Sequence, residues 1–456
     1  MKASESSAPR IPGWTETAVR EALEMDGAGQ GRTFSTISTD TRSILPGALF
    51  VALSGERFDA HQFLPAAAAS GATAAIVRVG TPRVPGLDLI EVTDPLRAFG
   101  LLARARRRRL TGPVVAITGT NGKTSTKEML AAVLGTRYVT YATRANLNNL
   151  VGVPLTMLEA PDATEAMVVE AGANLPGEIA RYREMVEPRI TIVTNAVAGH
   201  LEGFGSLAGV LAEKLSLTDG VELAVVGTEP AELASGARTR ARRVRTAGLD
   251  GADLVPDRVA MGPEARPMLT IGGVTFTLAA RGLHQADNAV RVWAVAEELG
   301  LDRASAARAL EGFRLPGGRG ELVESNGLTI LNDCYNANPQ SFRSVIATAR
   351  ALRGGRRLVM VAGTMRELGE DAGRLHAEVA RELVDLEPDL LAAVGDFVPA
   401  LAPYRERLGG RLLTAADPPA LAHLLAARVR PGDVVVLKAS RGVALERVLP
   451  ALLTQM

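Results

Sequence analysis

Three observations on the 456-residue chain predict an α/β protein of three domains. Short β-branched runs alternate with helix-like stretches along most of its length, the pattern of parallel sheets covered on both faces. Two clusters of basic or structure-breaking residues, at 104–112 and 315–320, interrupt the alternation. The length corresponds to roughly three domains at about 100–200 residues each. The domains so drawn are 1–108, a small N-terminal α/β domain; 109–315, a central doubly wound parallel-sheet domain; and 316–456, a C-terminal Rossmann-like α/β domain.

In the first domain, 48–53 (ALFVAL) reads as a strand, 64–70 as a helix stopped at Gly71, and 74–79 as a second strand. The basic run 104–109 reads as a solvated helix end and linker. In the central domain the strand 114–118 (VVAIT) leads into a glycine-rich turn and a helix, 124–134. Further strands are expected at 166–170, 190–194 and 223–226, with helices such as 177–185 and 207–217 between them. Segment 251–277 is richer in strand and turn signals and reads as an antiparallel edge. The C-terminal domain alternates again, with strands at 328–331, 358–361, 391–394 and 434–437.

Composition narrows the function. The 51 basic and 50 acidic residues nearly cancel, which gives no electrostatic case for nucleic acid or a membrane surface. The single cysteine, Cys334, excludes an internal disulfide and a cysteine-rich metal site. No apolar run reaches the ~18 residues of a membrane span, and MKASESSAPR lacks the apolar core of a secretory signal, so a cytoplasmic protein is expected. Lysine is scarce: Lys2, Lys123, Lys127, Lys214 and Lys438 stand against 46 arginines. A lysine kept in such a chain points to a compact amine that arginine cannot supply. The eleven asparagines all fall between Asn121 and Asn338, three of them within 146–149, a concentration that points to a site.

The segment Thr118-Gly119-Thr120-Asn121-Gly122-Lys123-Thr124 joins a predicted strand to a predicted helix. A nucleoside triphosphate needs backbone N–H groups, a helix N-terminus and one mobile ammonium, and glycine lets the backbone approach. Lys123 would bridge the β- and γ-phosphates, and the Thr124 hydroxyl would bind Mg²⁺. The strict phosphate-loop pattern asks for glycine where Ile117 stands, so the match is to a shortened GxxGKT form.

ITGTNGKTSTKEML closely resembles the ATP loop of the Mur ligases, the ATP-dependent amide-forming enzymes of peptidoglycan synthesis. The resemblance runs from about Ile37 to the C-terminus. It is carried by STDTRSILPGALFVALSGERFDAHQF, NLNNLVGVP, EAGANLPGEI, NAVAGHLEGFGSLAGV and NDCYNANPQS, with FDAHQF and YNANP the most discriminating. The finer pattern is similar to the branch that adds D-alanyl-D-alanine. The resemblance implies a UDP-MurNAc-binding first domain, an ATP-binding ligase domain and a closing third domain. It also implies transfer of the γ-phosphoryl group of ATP to the carboxylate of UDP-MurNAc-tripeptide, then attack by the amine of D-Ala-D-Ala. Nucleic acid and membrane insertion play no part, and a monomer is expected.

The same resemblance implies residue roles. ATP is expected at Gly119, Thr120, Asn121, Gly122, Lys123, Thr124 and Ser125. Asn288 would meet adenine, Asp333 the ribose, Arg319 the phosphates, and Asn336 the nucleotide or the incoming amine. The catalytic set is Lys123, Glu170, His200 and Lys214, and two Mg²⁺ ions would be held by Thr124, Glu170, His200 and an N-carboxylated Lys214. Asp40, Thr41, Arg42 and His61 would read the uridine nucleotide and MurNAc, with Asn146, Asn148 and Asn149 on the sugar-peptide side. The segment 363–369 (GTMRELG) matches GDMxELG except at Thr364, and Ala439 and Gln285 also depart from the commoner forms. A ligase adding the third amino acid, a folylpolyglutamate-type enzyme and a non-catalytic nucleotide switch are the competing readings. Joint retention of Lys123, Glu170, His200 and Lys214 argues against the switch.

Overall fold

The computed structural model describes residues 13–27, 29–55 and 58–453. Lys2 and the MKASESSAPR start lie outside the described residues, as do Glu56 and Arg57 within the FDAHQF-bearing segment. The chain divides into two compact units, Met1–Ile117 with Arg137–Ala173 and Gly177–Ile190, and Thr118–Thr136 with Asn174–Pro176 and Thr191–Met456.

In the first unit four parallel strands lie in the order Ile37–Ser38, Ala48–Val51, Ala72–Arg78, Asp88–Val92. Ala48–Val51 is buried at every position, which is why its sequence runs apolar without alternating. Phe50, Ala75 and Val77 meet Leu64 and Ala67 of the helix Leu64–Ala69, where the core of this sheet forms. A further parallel set, Thr140–Ala142, Ala166–Glu170 and Val114–Thr118, lies in that order. The helix Pro95–Arg107 begins at Asp94, whose carboxylate accepts the Leu96 and Arg97 N–H groups, and packs on Gly152–Leu158 and Glu178–Val186.

That helix corrects the reading of 104–109 as a solvated linker. Arg106 is 3% exposed and donates to the Ala160 and Pro161 carbonyls at 2.9 and 3.2 Å. Arg107 donates to the Val186 and Glu187 carbonyls, and Arg108 pairs with the Glu187 carboxylate. The run is a clamp on carbonyls left by two neighbouring segments, and charge counting alone cannot separate that from a wet helix end.

In the second unit Ile190–Val193, Leu223–Val226 and Arg243–Thr246 are neighbouring strands, the last two parallel. The helix Lys123–Leu134 packs against Leu283–Glu298 and Arg303–Gly312. The segment read as an antiparallel edge is instead a separate three-stranded antiparallel sheet, Arg258–Met261, Pro267–Ile271, Val274–Thr277. Its strand Pro267–Ile271 alternates buried and half-buried residues, so one face covers a helix: Phe276 stacks on Trp293 at 5.4 Å between ring centroids.

Beyond it lies a six-stranded sheet in the order Glu321–Ser325, Leu328–Asp333, Val434–Lys438, Leu358–Ala362, Leu390–Val394, Leu412–Ala415. All neighbours are parallel except the first pair, a hairpin closed at Asn326-Gly327 with both φ angles positive. Asn-Gly is the strongest short hairpin signal, and it marks an edge strand that the hydrophobic pattern did not reveal. Both faces of this sheet carry apolar cores, one around Phe342, Met360 and Phe397, the other around Leu437, Leu421 and Leu445.

Replacing Arg106 by Ala strands two carbonyls and opens a gap, so urea unfolding should show a loss of about 2–3 kcal/mol. Arg97→Ala, on the exposed face of the same helix, should stay within about 0.5 kcal/mol of the parent.

Candidate active site

The loop between Val114–Thr118 and Lys123–Leu134 is shaped by close backbone approach. Gly119 has φ +144, and a Cβ there would sit 1.9 Å from the Thr194 hydroxyl; at Gly122, φ is +81 and a Cβ would sit 2.6 Å from Asn288 Oδ1. Glycine is required at both. Thr194 donates to the Asn121 carbonyl (2.6 Å), and Asn195 Oδ1 accepts the Asn121 N–H (3.0 Å). Thr120 Oγ1 donates to the Val197 carbonyl at 3.1 Å and accepts the Val197 N–H at 3.2 Å.

No side chain caps the start of Lys123–Leu134. A helix N-terminus built on glycine and lacking a side-chain cap suits an anion, since its first N–H groups point outward along the dipole. Thr124 and Ser125 are buried in this first turn, and Lys123 Nζ turns back to donate to the Gly119 and Thr120 carbonyls at 2.7 and 3.0 Å.

The sparse asparagines converge here. The Asn121 and Asn338 carboxamides pair, with Nδ2 to Oδ1 at 3.2 Å one way and 2.7 Å the other, and Asn121 also donates to Gln340 Oε1 at 2.8 Å. Asn338 is at the same time the capping-box residue of Pro339–Arg353. Asn288 lies buried against Gly122. Thr194, Asn195 and Gln340 were not singled out in the sequence. The asparagine count was a usable signal for Asn195, Gln340 lies within the NDCYNANPQS string, and nothing local marked Thr194.

Of the four described lysines, Lys127, Lys214 and Lys438 are buried, and Lys123 is half-buried. Lys438 Nζ donates to Asp333 Oδ2 at 2.7 Å and to the Asn336 carbonyl at 2.6 Å, so Asp333 and Asn336 are brought together by a buried ammonium. The Arg319 guanidinium stacks 3.5 Å above the Tyr335 ring centroid. Lys214 lies on Leu207–Leu215, with Nζ 5.3 Å from the Phe204 ring centroid.

His200 heads the short helix Leu201–Phe204 in the left-handed region, φ +55, and its Nδ1 stands 2.5 Å from Glu367 Oε2. That contact holds the Glu367 carboxyl below its usual range; burial acts the other way, and the Lys123 and Arg366 charges lower it further. The loop carrying Glu367 lines a cleft of about 850 Å³, together with Asp396 and Asp417 from the ends of neighbouring parallel strands. Open α/β sheets hold their ligands at that end.

The predicted residues of the first unit make local structure. Glu170 is buried at the end of Ala166–Glu170, with Oε1 accepting from Asn148 Nδ2 at 2.8 Å and its N–H donating to Thr143. Asn149 Oδ1 accepts the Val151 and Gly152 N–H groups in the turn before Gly152–Leu158, and Asn146 is exposed. Asp40 caps the turn Thr41–Ser43 and binds the Arg42 guanidinium, which pulls its carboxyl down to about 2. His61 is held by Asp59 at Nδ1 (2.6 Å), and its Nε2 accepts the Arg78 N–H (3.0 Å).

An open helix start behind two obligatory glycines, with a lysine folded over it, is what a phosphate-loop nucleotide-binding protein presents. Family models sharpen that class. The Mur ligase middle domain matches residues 117–296, and the Mur ligase, glutamate ligase domain matches 318–441. The chain belongs to the Mur ligase family. It is 33% identical over 431 residues to the UDP-N-acetylmuramoyl-tripeptide–D-alanyl-D-alanine ligase of Bacillus subtilis, covering 91% of this chain and 93% of that one. Its fold matches a crystal structure of MurF from Acinetobacter baumannii with TM-score 0.88 at 28% identity, over 98% of this chain and 100% of that one. A MurF ligase from Thermotoga maritima in complex with ADP matches with TM-score 0.80 at 28% identity, over 91% and 96%.

Gly119→Ala adds a clash to backbone strain and should weaken ADP binding about 100-fold by calorimetry. Gly177→Ala, at φ +88 with open space around the added Cβ, should leave ADP affinity within about twofold.

Proposed function

We propose that this chain is an ATP-dependent ligase that joins D-alanyl-D-alanine to UDP-N-acetylmuramoyl-tripeptide in the synthesis of peptidoglycan precursors. The observation that carries this reading is the likeness to the Bacillus subtilis ligase over 91% of the chain. In the reaction a terminal carboxylate oxygen of the tripeptide attacks the γ-phosphorus of ATP and ADP leaves. The amine of D-Ala-D-Ala then attacks the acyl carbon, the tetrahedral adduct expels phosphate, and the amine proton goes to solvent or a nearby base. We read 1–108 as the UDP-MurNAc domain, 109–315 as the ATP domain and 316–456 as the closing domain.

In this reading the loop from Gly119 to Ser125 wraps the phosphates, and Lys123 exchanges its two carbonyl partners for β- and γ-phosphate oxygens. Asn288 meets the base, Asp333 the ribose, Arg319 the phosphates, and Asn336 the nucleotide or the incoming amine. Asp40, Thr41, Arg42 and His61 serve the uridine nucleotide, and Asn146, Asn148 and Asn149 the sugar-peptide.

The donor set suits magnesium. The Thr124 hydroxyl and the buried Glu170 carboxylate are the oxygen ligands that Mg²⁺ prefers. Among the described residues no group of three His, Cys, Asp or Glu could hold an ion by itself. Mg²⁺ is usually held in part by phosphate oxygens and water. Thr124 and Glu170 would hold one ion, and His200 with an N-carboxylated Lys214 a second. Bound there, Mg²⁺ supplies charge that offsets the negative charge developing on the transferring group. A buried lysine can carry the carbamate, which arginine cannot. We further read the protein as cytoplasmic and monomeric, the expectation set by its resemblance to the Mur ligases. Among the described residues no helix is long and apolar enough to cross a membrane.

Phosphate release should require UDP-MurNAc-tripeptide and D-Ala-D-Ala together. Free D-alanine or diaminopimelate should not replace the dipeptide, and equal turnover with diaminopimelate and a UDP-MurNAc-dipeptide would overturn the assignment.

Lys214→Arg should lower turnover by about 10²–10³-fold, the usual effect of losing one electrostatic element of this kind. Lys214→Ala should regain activity with added formate or acetate, which return an anionic oxygen, whereas Lys123→Arg should not respond to either. Near-normal turnover of Lys214→Arg would reduce Lys214 to a packing residue.

A further inference from the structure

The GTMRELG segment, 363–369, is held in a strained conformation. Glu367 is a non-glycine residue at φ +63, and its backbone is fixed from both sides. The Met365 N–H donates to His376 Nε2 at 2.9 Å, and the Arg366 N–H donates to Ser440 Oγ at 2.9 Å. His376 can accept there because its Nδ1 faces the Ala372 carbonyl at 2.7 Å, which selects the Nδ1–H tautomer. Gly369, at φ +60, lies with its Cβ position 3.6 Å from the Glu202 backbone, and Leu201 packs into the apolar core under this loop. The loop therefore rests on the helix that His200 heads. His200 is itself left-handed. Two strained residues meet at one contact, Glu367 Oε2 to His200 Nδ1 at 2.5 Å, too close for a carboxylate oxygen to face an imidazole lone pair. Strain of this kind persists where the surroundings enforce it, and it collects at functional sites.

We propose that Glu367 is a positioning residue: its carboxylate holds His200 in the Nδ1–H form, leaving Nε2 as the nitrogen that meets a divalent cation. The inference rests on the reading of His200 as a metal ligand. The chemistry is that of carboxylate–histidine–metal triads, in which the outer carboxylate fixes tautomer and ring orientation. Within the segment Glu367 makes this contact, and Thr364, where the commoner form has aspartate, makes a different one. Thr364 Oγ1 accepts the Asp396 N–H at 3.0 Å, a structural task that a hydroxyl performs.

The test uses the full chain with ¹⁵N-histidine and three substitutions. Glu367→Gly keeps the left-handed backbone without steric strain, so its Tm should equal or exceed the parent's. Glu367→Gln retains an acceptor without the charge. Glu370→Ala, on the exposed neighbouring turn, is the control. Long-range ¹H–¹⁵N spectra of the ligand-free protein should show the Nδ1–H form of His200 in the parent and in Glu370→Ala, and a shift toward Nε2–H in Glu367→Gly. Mn²⁺ binding, read by electron paramagnetic resonance with a non-hydrolysable ATP analogue, should weaken about 10- to 100-fold in Glu367→Gly and less in Glu367→Gln. An unchanged tautomer in Glu367→Gly overturns the proposal. So does a changed tautomer with unchanged Mn²⁺ affinity, provided His200→Ala loses that affinity. If His200→Ala also binds Mn²⁺ normally, it is the reading of His200 as a metal ligand that fails.

Discussion

Most of this molecule's chemistry depends on how closely the chain can approach itself at Gly119 and Gly122. The Thr194 hydroxyl occupies the space of a Cβ at the first, and the Asn288 carboxamide that of a Cβ at the second. With both spaces filled by neighbours, the loop has one shape, and the helix Lys123–Leu134 starts without a side-chain cap. The same packing aims Asn121 at Asn338 and Gln340, so the loop is tied to the start of Pro339–Arg353. A phosphate would meet a prepared set of dipoles and one lysine that has only to leave two carbonyls.

Much of this was legible because the chain is compositionally biased. In a protein that uses arginine as its surface cation, lysine marks the places where arginine does not serve, and Lys127, Lys214 and Lys438 prove to be buried. Asparagine was informative for a similar reason: Asn121, Asn195, Asn288 and Asn338 lie around one loop. The parallel strands were legible from unbroken apolar runs such as Val114–Thr118 and Val434–Lys438, each buried at every position.

What escaped the sequence was set by contacts between distant segments. The arginines at 106 and 107 look like a wet helix end until the carbonyls of Ala160 and Val186 are seen to need donors. The sheet from Arg258 to Thr277 has the local signature of an edge, and only the stacking of Phe276 on Trp293 shows what it covers. The Glu367–His200 contact joins two loops far apart in the chain, each unremarked by propensity because each adopts a conformation that propensity disfavours. Several residues marked for ligands, Asn149 and His61 among them, carry local structure: Asn149 accepts the Gly152 N–H and His61 the Arg78 N–H.

In the proposed reaction a carboxylate is activated by phosphoryl transfer at the Gly119–Thr124 loop. Isotope transfer tests it most directly. UDP-MurNAc-tripeptide carrying ¹⁸O in its terminal carboxylate is incubated with ATP and D-Ala-D-Ala, and the released phosphate is examined by mass spectrometry. Each released phosphate should carry one ¹⁸O, taken from the carboxylate when the amine displaces the acyl phosphate. Phosphate released without the label while amide forms would contradict it.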